Sequence, residues 1–202
     1  MKISILPVGM YQENVYVVHQ DGHVLIVDPG GHPEIIASDI SAEETVEAIV
    51  LTHGHQDHVN AVDALVKKYG CPVYLHQDDF PLVDPDHYRM HAYATGLHAK
   101  ITPMESSIDV NGFHLDVLET PGHTQGCVCL LMQDVMFSGD TLFYGSIGRT
   151  DLSDSDPEKM KESLQKLMAL ETDYHVLPGH GPSTTLLEEK KNNPYLSGRY
   201  AI

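Results

Sequence analysis

The chain has 202 residues, 42 % hydrophobic and 20 % charged, and a folded protein of this mass exposes about 9,400 Å², so a sizeable core is affordable without disulfides and general disorder is excluded. Twelve Lys+Arg against 29 Asp+Glu give a net charge of −17, a field that opposes nucleic acid and anionic membrane as partners. Three cysteines, Cys71, Cys127 and Cys129, cannot all pair and include no CxxC, which argues against a secreted disulfide scaffold.

The first residues, MKISILPVGMYQENVYVVHQ, lack the continuous apolar region of a signal peptide, and no long apolar run occurs elsewhere. A cytoplasmic location is expected. KISILPV, NVYVVHQ and HVLIVDP are short β-branched segments with Asp21-Gly22 as a hairpin corner, and the third ends in the sharp turn Pro29-Gly30-Gly31. Residues 34–45 predict a short helix and a loop, and VEAIVLTH a buried strand. In VNAVDALVKKYG, Val59, Val62, Leu65 and Val66 share a helical stripe that stops at Gly70. CPVYLH is a further strand, and the polar, Pro-interrupted stretch 77–99 reads as a mobile or partly helical insertion.

SIDVNGFHLDVLETPG predicts a hairpin turning at Asn111-Gly112, followed by strands CVCLLM and DVMFSGD. DPEKMKESLQKLMAL is the clearest helix, with Asp156 before Pro157 at its start. YHVLPGHG returns to a strand, and a last helix spans 183–192. Meandering strands with peripheral helices predict an α+β fold, a two-sheet core with helices outside, in one domain over 1–202.

Fourteen histidines direct attention to THGHQDHVN, where His53, His55, Asp57 and His58 fall within six residues. Asp57 and His58 lie where the chain enters the next helix, whose N-terminal dipole favours the carboxylate. His123, Asp140 and His180 each follow a strand, and each is directly preceded by a glycine, Gly122, Gly139 and Gly179, that lets the backbone approach closely. Together these seven are the ligands of a two-metal site. His53, His55 and His123 would hold one ion, Asp57, His58 and His180 the second, and Asp140 could bridge. Two divalent ions about 3.5–4 Å apart, zinc first and iron or manganese as substitutes, would share a hydroxide with its pKa lowered toward 7.

With these motifs the sequence resembles the metallo-β-lactamase superfamily: THGHQDH matches its HxHxDH signature, and PGHT, SGDTLF and PGHG its downstream ligand motifs. The resemblance runs from LIVDPGG to PGHGPSTT and implies an αββα sandwich of two mixed sheets with outer helices, its site at one sheet edge. Within the superfamily the sequence is most similar to small glyoxalase II-like (hydroxyacylglutathione hydrolase-like) proteins. Asp140 corresponds to their bridging ligand; zinc β-lactamases have a Cys there, so β-lactam hydrolysis is not expected as the principal activity. FYGSIGRTDL resembles their loop after the bridging Asp, which makes Arg149 the candidate contact for a substrate carboxylate, with Asp151 where full-length enzymes have an aromatic.

The resemblance implies hydrolysis of a small acyl thioester by metal-bound hydroxide, with Asp57 and Asp140 as catalytic carboxylates. The alternatives are a persulfide dioxygenase-like oxidoreductase using one iron on His53, His123 and Asp140, and a non-catalytic metal-binding module. Asp28 is a candidate for orienting the histidine loop, or it caps its own turn. Arg149 either binds a substrate carboxylate or pairs with Asp151, Asp154 or Asp156. Tyr144, with Tyr88, Tyr93, Phe80 and Met90, is a candidate for lining the cleft. A small-molecule substrate is the expected partner; assembly into a homo-oligomer stays open.

Overall fold

The computed structural model describes residues 1–91 and 93–202. β1 (Lys2–Val8), β2 (Glu13–Gln20) and β3 (His23–Val27) form an antiparallel meander, with every side chain from Glu13 to Val18 buried. Asp21 and Gly22 turn the second hairpin at φ 52° and 84°, both left-handed as a tight two-residue turn requires. After the Pro29-Gly30-Gly31 turn come α1 (Pro33–Asp39) and β4 (Thr45–Val50), the latter parallel to β3.

The helix expected from Val59 to Gly70 is divided into α2 (Gln56–Val59) and α3 (Val62–Tyr69). The break has a cause: the Ala61 N–H donates to Pro29 O at 2.9 Å, tying the helical run to the turn after β3. Gly70 ends α3 as read, at φ 68° with its N–H on Val66 O. β5 (Val73–Leu75) follows. The 77–99 stretch holds α4 (Phe80–Val83) and returns backbone hydrogen bonds from Thr95 and Leu97 to Leu82 and Val83. β6 (Ile101–Pro103) was not visible in the sequence, because three residues ending in Pro carry no strand signal; it is an edge strand, where proline is tolerated.

The second half contains β7 (Ser107–Val110), β8 (Phe113–Glu119), β9 (Val128–Met132) and β10 (Val135–Gly139). A small hairpin of β11 (Leu142–Phe143) and β12 (Ser146–Ile147) precedes α5 (Pro157–Ala169), whose N-cap Asp156 accepts from the N–H groups of Glu158 and Lys159. The chain then forms β13 (His175–Pro178), β14 (Thr184–Thr185) and α6 (Leu186–Asn192).

Two mixed six-stranded sheets result, ordered β1-β2-β3-β4-β5-β6 and β14-β13-β10-β9-β8-β7. Their facing sides pack Tyr16, Leu25, Val27 and Val50 against Leu115, Leu130, Phe137 and Leu177. The outer face of the first sheet covers itself with Ile36, Val62 and Leu65 from α1 and α3; that of the second packs on Met160, Leu164 and Leu167 of α5. Four layers, αββα, are therefore held by three apolar seams, as the sequence implied. Truncating a central side chain such as Phe137 to alanine costs about 3–5 kcal/mol. The molecule exposes 9254 Å². Among the described residues no helix is long and apolar enough to cross a membrane.

Topology decides where the chemistry sits. β3 and β4 are parallel, as are β10 and β13, so the C-terminal ends of each pair emerge at one edge. The two edges are then tied together: Asn14 Nδ2 and Tyr16 Oη of β2 donate to Pro178 O at 3.0 and 2.6 Å, and Val128 N donates to Thr52 O at 3.0 Å.

Candidate metal centre

Every residue of the expected ligand set lies at this edge. His53, His55 and His123 form one group whose ligand atoms lie within 4.8 Å of one another, and Asp57, His58 and His180 form another. Asp140 reaches both: its Oδ1 is 3.3 Å from His58 Nε2, and its Oδ2 is 3.3 Å from His123 Nε2 and 3.6 Å from His180 Nε2. Asp57 enters the first turn of α2 and places Oδ2 3.4 Å from His180 Nε2.

The outer nitrogen of each imidazole is committed to a protein acceptor. His58 Nδ1 lies 3.0 Å from Asp28 Oδ2, His55 Nε2 3.1 Å from Asp154 Oδ2, His123 Nδ1 2.9 Å from Arg149 O, and His180 Nδ1 3.0 Å from Tyr11 O. His53 Nδ1 stands 3.2 Å from the Thr52 hydroxyl, which itself donates to Asp28. These contacts put the protons outside and turn five lone pairs inward.

The inward atoms make the test of whether metal ions fit. His53 Nε2, His58 Nε2 and Asp140 Oδ1 are buried without any hydrogen-bond partner. His55 Nδ1 and His123 Nε2 face each other at 2.9 Å, and with both outer nitrogens protonated these are two lone pairs, an arrangement that a cation between them makes favourable. A Cβ at Gly179 would overlap Asp140 Oδ1 and come within 2.6 Å of His58 Cε1, so the glycine leaves the space a ligand cluster needs. The residues fit two divalent ions.

Electrostatics follow from burial and crowding. Burial works against the Asp140 carboxylate, but His58, His123 and His53 around it hold its pKa well below the usual range. Burial and the neighbouring His58 push His53 well down. Burial also opposes the Asp57 charge, yet the neighbouring His180 and His58 keep its pKa low.

Three supporting carboxylates were invisible as such in the sequence or were left among alternatives. Asp28 does both jobs considered for it: Oδ1 accepts from Thr52 N–H at 2.7 Å while Oδ2 holds His58. Asp79, inside the presumed insertion, is 1 % exposed and joins the two loops bearing the first cluster. It accepts from Gly54 N–H, Gly126 N–H and the Thr124 hydroxyl at 2.7–2.8 Å, so that end of 77–99 is a structural keystone rather than a loose segment. Glu13 is 1 % exposed with no hydrogen-bond partner, its Oε1 3.8 Å from His58 Nδ1; burial pushes its pKa well up. An acid in QENVYVV has no spacing to betray it.

The acidic run after Arg149 separates into three roles. Asp151 takes the Arg149 Nε–H and Nη2–H at 2.8 and 3.1 Å, Asp154 holds His55, and Asp156 caps α5. Arg149 thus pins its own loop while also lining the cleft. That cleft, about 330 Å³, is bounded among the described residues by His55, His123, Asp57, His180 and Asp140 together with Tyr11, Tyr93, Phe143, Ile147, Arg149 and Leu152. Tyr144 is not among them. It sits 59 % exposed at the outer turn between β11 and β12, and strand alternation presents its neighbour Phe143 inward instead. Of the other candidates Tyr93 lines the cleft, Phe80 packs on the first core, Tyr88 lies outside the cleft and accepts from Arg89 Nε at 3.2 Å, and Met90 is solvent-exposed.

Two ligand clusters opening on one cleft at the edge of an αββα sandwich are those of a metal-dependent hydrolase. The metallo-beta-lactamase superfamily profile matches residues 8–180, and the chain belongs to that superfamily. It is 38 % identical to "Probable metallo-hydrolase YqgX" of Bacillus subtilis, covering 98 % of this chain and 99 % of that one. It is 32 % identical to "Hydroxyacylglutathione hydrolase GloC" of Haemophilus influenzae, covering 98 % and 100 %. Among solved structures it is similar to BLEG-1 B3 metallo-beta-lactamase, with TM-score 0.87, 37 % identity and coverage of 98 % and 100 %. It is also similar to TTHA1623 in a di-iron-bound form, with TM-score 0.82, 37 % identity and coverage of 95 % and 99 %.

Proposed function

We infer that this protein hydrolyses a small acyl thioester, in the manner of glyoxalase II. The observation that carries the reading is Asp140 standing between two complete ligand clusters at the floor of one cleft. Bound divalent ions would supply Lewis acidity and an activated water at that point. His53, His55 and His123 would hold one and Asp57, His58 and His180 the other, zinc or iron being compatible with imidazole and carboxylate donors.

The cluster imidazoles suit a leaving group that needs no acid from them. Every cluster imidazole has its outer nitrogen beside a protein acceptor, so none has a free N–H to protonate a departing amine. A thiolate, with a pKa of about 8.5, leaves without such an acid. Asp57, partly open to the cleft, is placed to take the attacking water's hydrogen bond, and Arg149 offers a basic group at the rim for a substrate carboxylate. The GloC relative, hydroxyacylglutathione hydrolase by name, supports the same class.

The test is turnover of S-lactoyl thioesters by protein loaded with zinc, iron or manganese, beside a chromogenic cephalosporin and an oxygen-uptake assay on glutathione persulfide. Two metal equivalents and thioester cleavage, lost at least a hundredfold in Asp140→Asn, are expected. No cleavage above free metal, or one iron with oxygen uptake, would overturn the reading.

A further inference from the structure

The walls of the cleft say more about the substrate than its floor does. On the side of the first cluster the Tyr93 ring stands 6.0 Å from that of His55, edge to face. On the side of the second, the Phe143 ring stands 6.0 Å from that of His180, and Tyr11 gives its carbonyl to the same imidazole. Ile147 and Leu152 close the remainder. Aromatic surface therefore flanks the reacting centre on both sides. Tyr11 and Tyr93 remain 53 % and 38 % exposed, so a ligand can still remove apolar area from water there.

Tyr93 is also held in place at a cost. Its φ of 58° is left-handed, a conformation unfavourable to a bulky residue. Its carbonyl accepts the Gln56 N–H at 2.6 Å, which couples the ring to the helix bearing Asp57 and His58.

Charge on the walls is sparse. Among the described lining residues Arg149 is the one permanent cation, and Asp151 already occupies its Nε and Nη2 donors. A substrate with several carboxylates would meet one half-engaged guanidinium within a chain of net charge −17.

We propose that the cleft takes a thioester with two predominantly apolar arms and at most one carboxylate, an aromatic-sized acyl group packing among Tyr93, Tyr11 and Phe143. The inference rests on the thioester-hydrolase reading for its reaction and on the cleft walls for its selectivity. Tyr93 and Phe143 are the specificity-determining residues.

Two readouts separate it from that reading. Lactoyl and mandeloyl thioesters of uncharged N-acetylcysteamine differ by phenyl for methyl; kcat/KM is expected at least tenfold higher for the mandeloyl compound, and no higher for lactoyl glutathione than for lactoyl N-acetylcysteamine. Binding of the uncleavable thioethers S-phenethyl- and S-ethyl-N-acetylcysteamine, followed by calorimetry, is expected to favour phenethyl at least tenfold. Tyr93→Ala and Phe143→Ala, checked by melting, should each cut that preference severalfold. Equal binding of the two thioethers, an unchanged preference in both variants, or fastest turnover of lactoyl glutathione would overturn the inference while leaving hydrolysis standing. Preferential phenethyl binding without any thioester cleavage would sustain the apolar cleft and remove the hydrolase reading.

Discussion

Asp28 Oδ2 lies 3.0 Å from His58 Nδ1, and this contact turns His58 Nε2 to within 3.3 Å of Asp140 Oδ1. A carboxylate at the end of β3 thus sets which nitrogen of a histidine on α2 faces the centre.

Asp28→Ala should weaken the second ion about 10–100-fold, since loss of a ligand's outer partner typically has that effect. The Thr52 N–H and hydroxyl lose their acceptor too, at about 2–3 kcal/mol of stability. Competition with a chelator and thermal melting measure both, and unchanged occupancy would show that His58 needs no such anchor.

Gly179→Ala should lower metal content after dialysis toward one ion per chain. The new Cβ would press on Asp140 Oδ1 and His58 Cε1, inside the space between ligands. Elemental analysis reads the outcome directly; two retained equivalents would move the ions away from this glycine.

Asp79→Asn should not preserve the keystone. Oδ1 serves Gly126 N–H while Oδ2 serves Gly54 N–H and the Thr124 hydroxyl, so an amide NH₂ in either orientation meets a donor. A loss of about 2–4 kcal/mol is expected, or roughly 5–15 °C in Tm for a chain of this size. A calorimetric Tm within a degree of wild type would contradict the assignment.

The cysteines should be inert in the native protein. Burial pushes Cys71 and Cys129 up to about 11 and Cys127 well above the usual thiol range, leaving little thiolate at pH 8. An Ellman-type reagent should find no fast thiol before denaturation and three after it. Rapid native labelling of Cys127 or Cys129 would reveal an opening of the second sheet, and of Cys71 an opening beside β5 of the first.

Much of this protein can be read from residue order alone, because its strongest signals are local. Alternating or continuous β-branched runs, the Asp21-Gly22 and Asn111-Gly112 turns and the Asp156-Pro157 helix start depend on neighbours in sequence, and each forms as expected. The density of His53, His55, Asp57 and His58 is likewise a local fact, and Gly-His or Gly-Asp after a strand repeats it at His123, Asp140 and His180. What residue order could not supply was partnership across the fold. Asp28, Asp79 and Asp154 look alike as single acids, and only the packing of two sheets gives each its histidine or its loops, 25 to 99 positions away for Gly54 and His55 respectively. Tyr144 follows Phe143 by one residue, just past the end of β11, and the facing of that small hairpin decides which ring meets the cleft. Spacing along a chain can announce a set of ligands; long-range hydrogen bonds and steric fit choose their tautomers, their supports and the shape of the cleft.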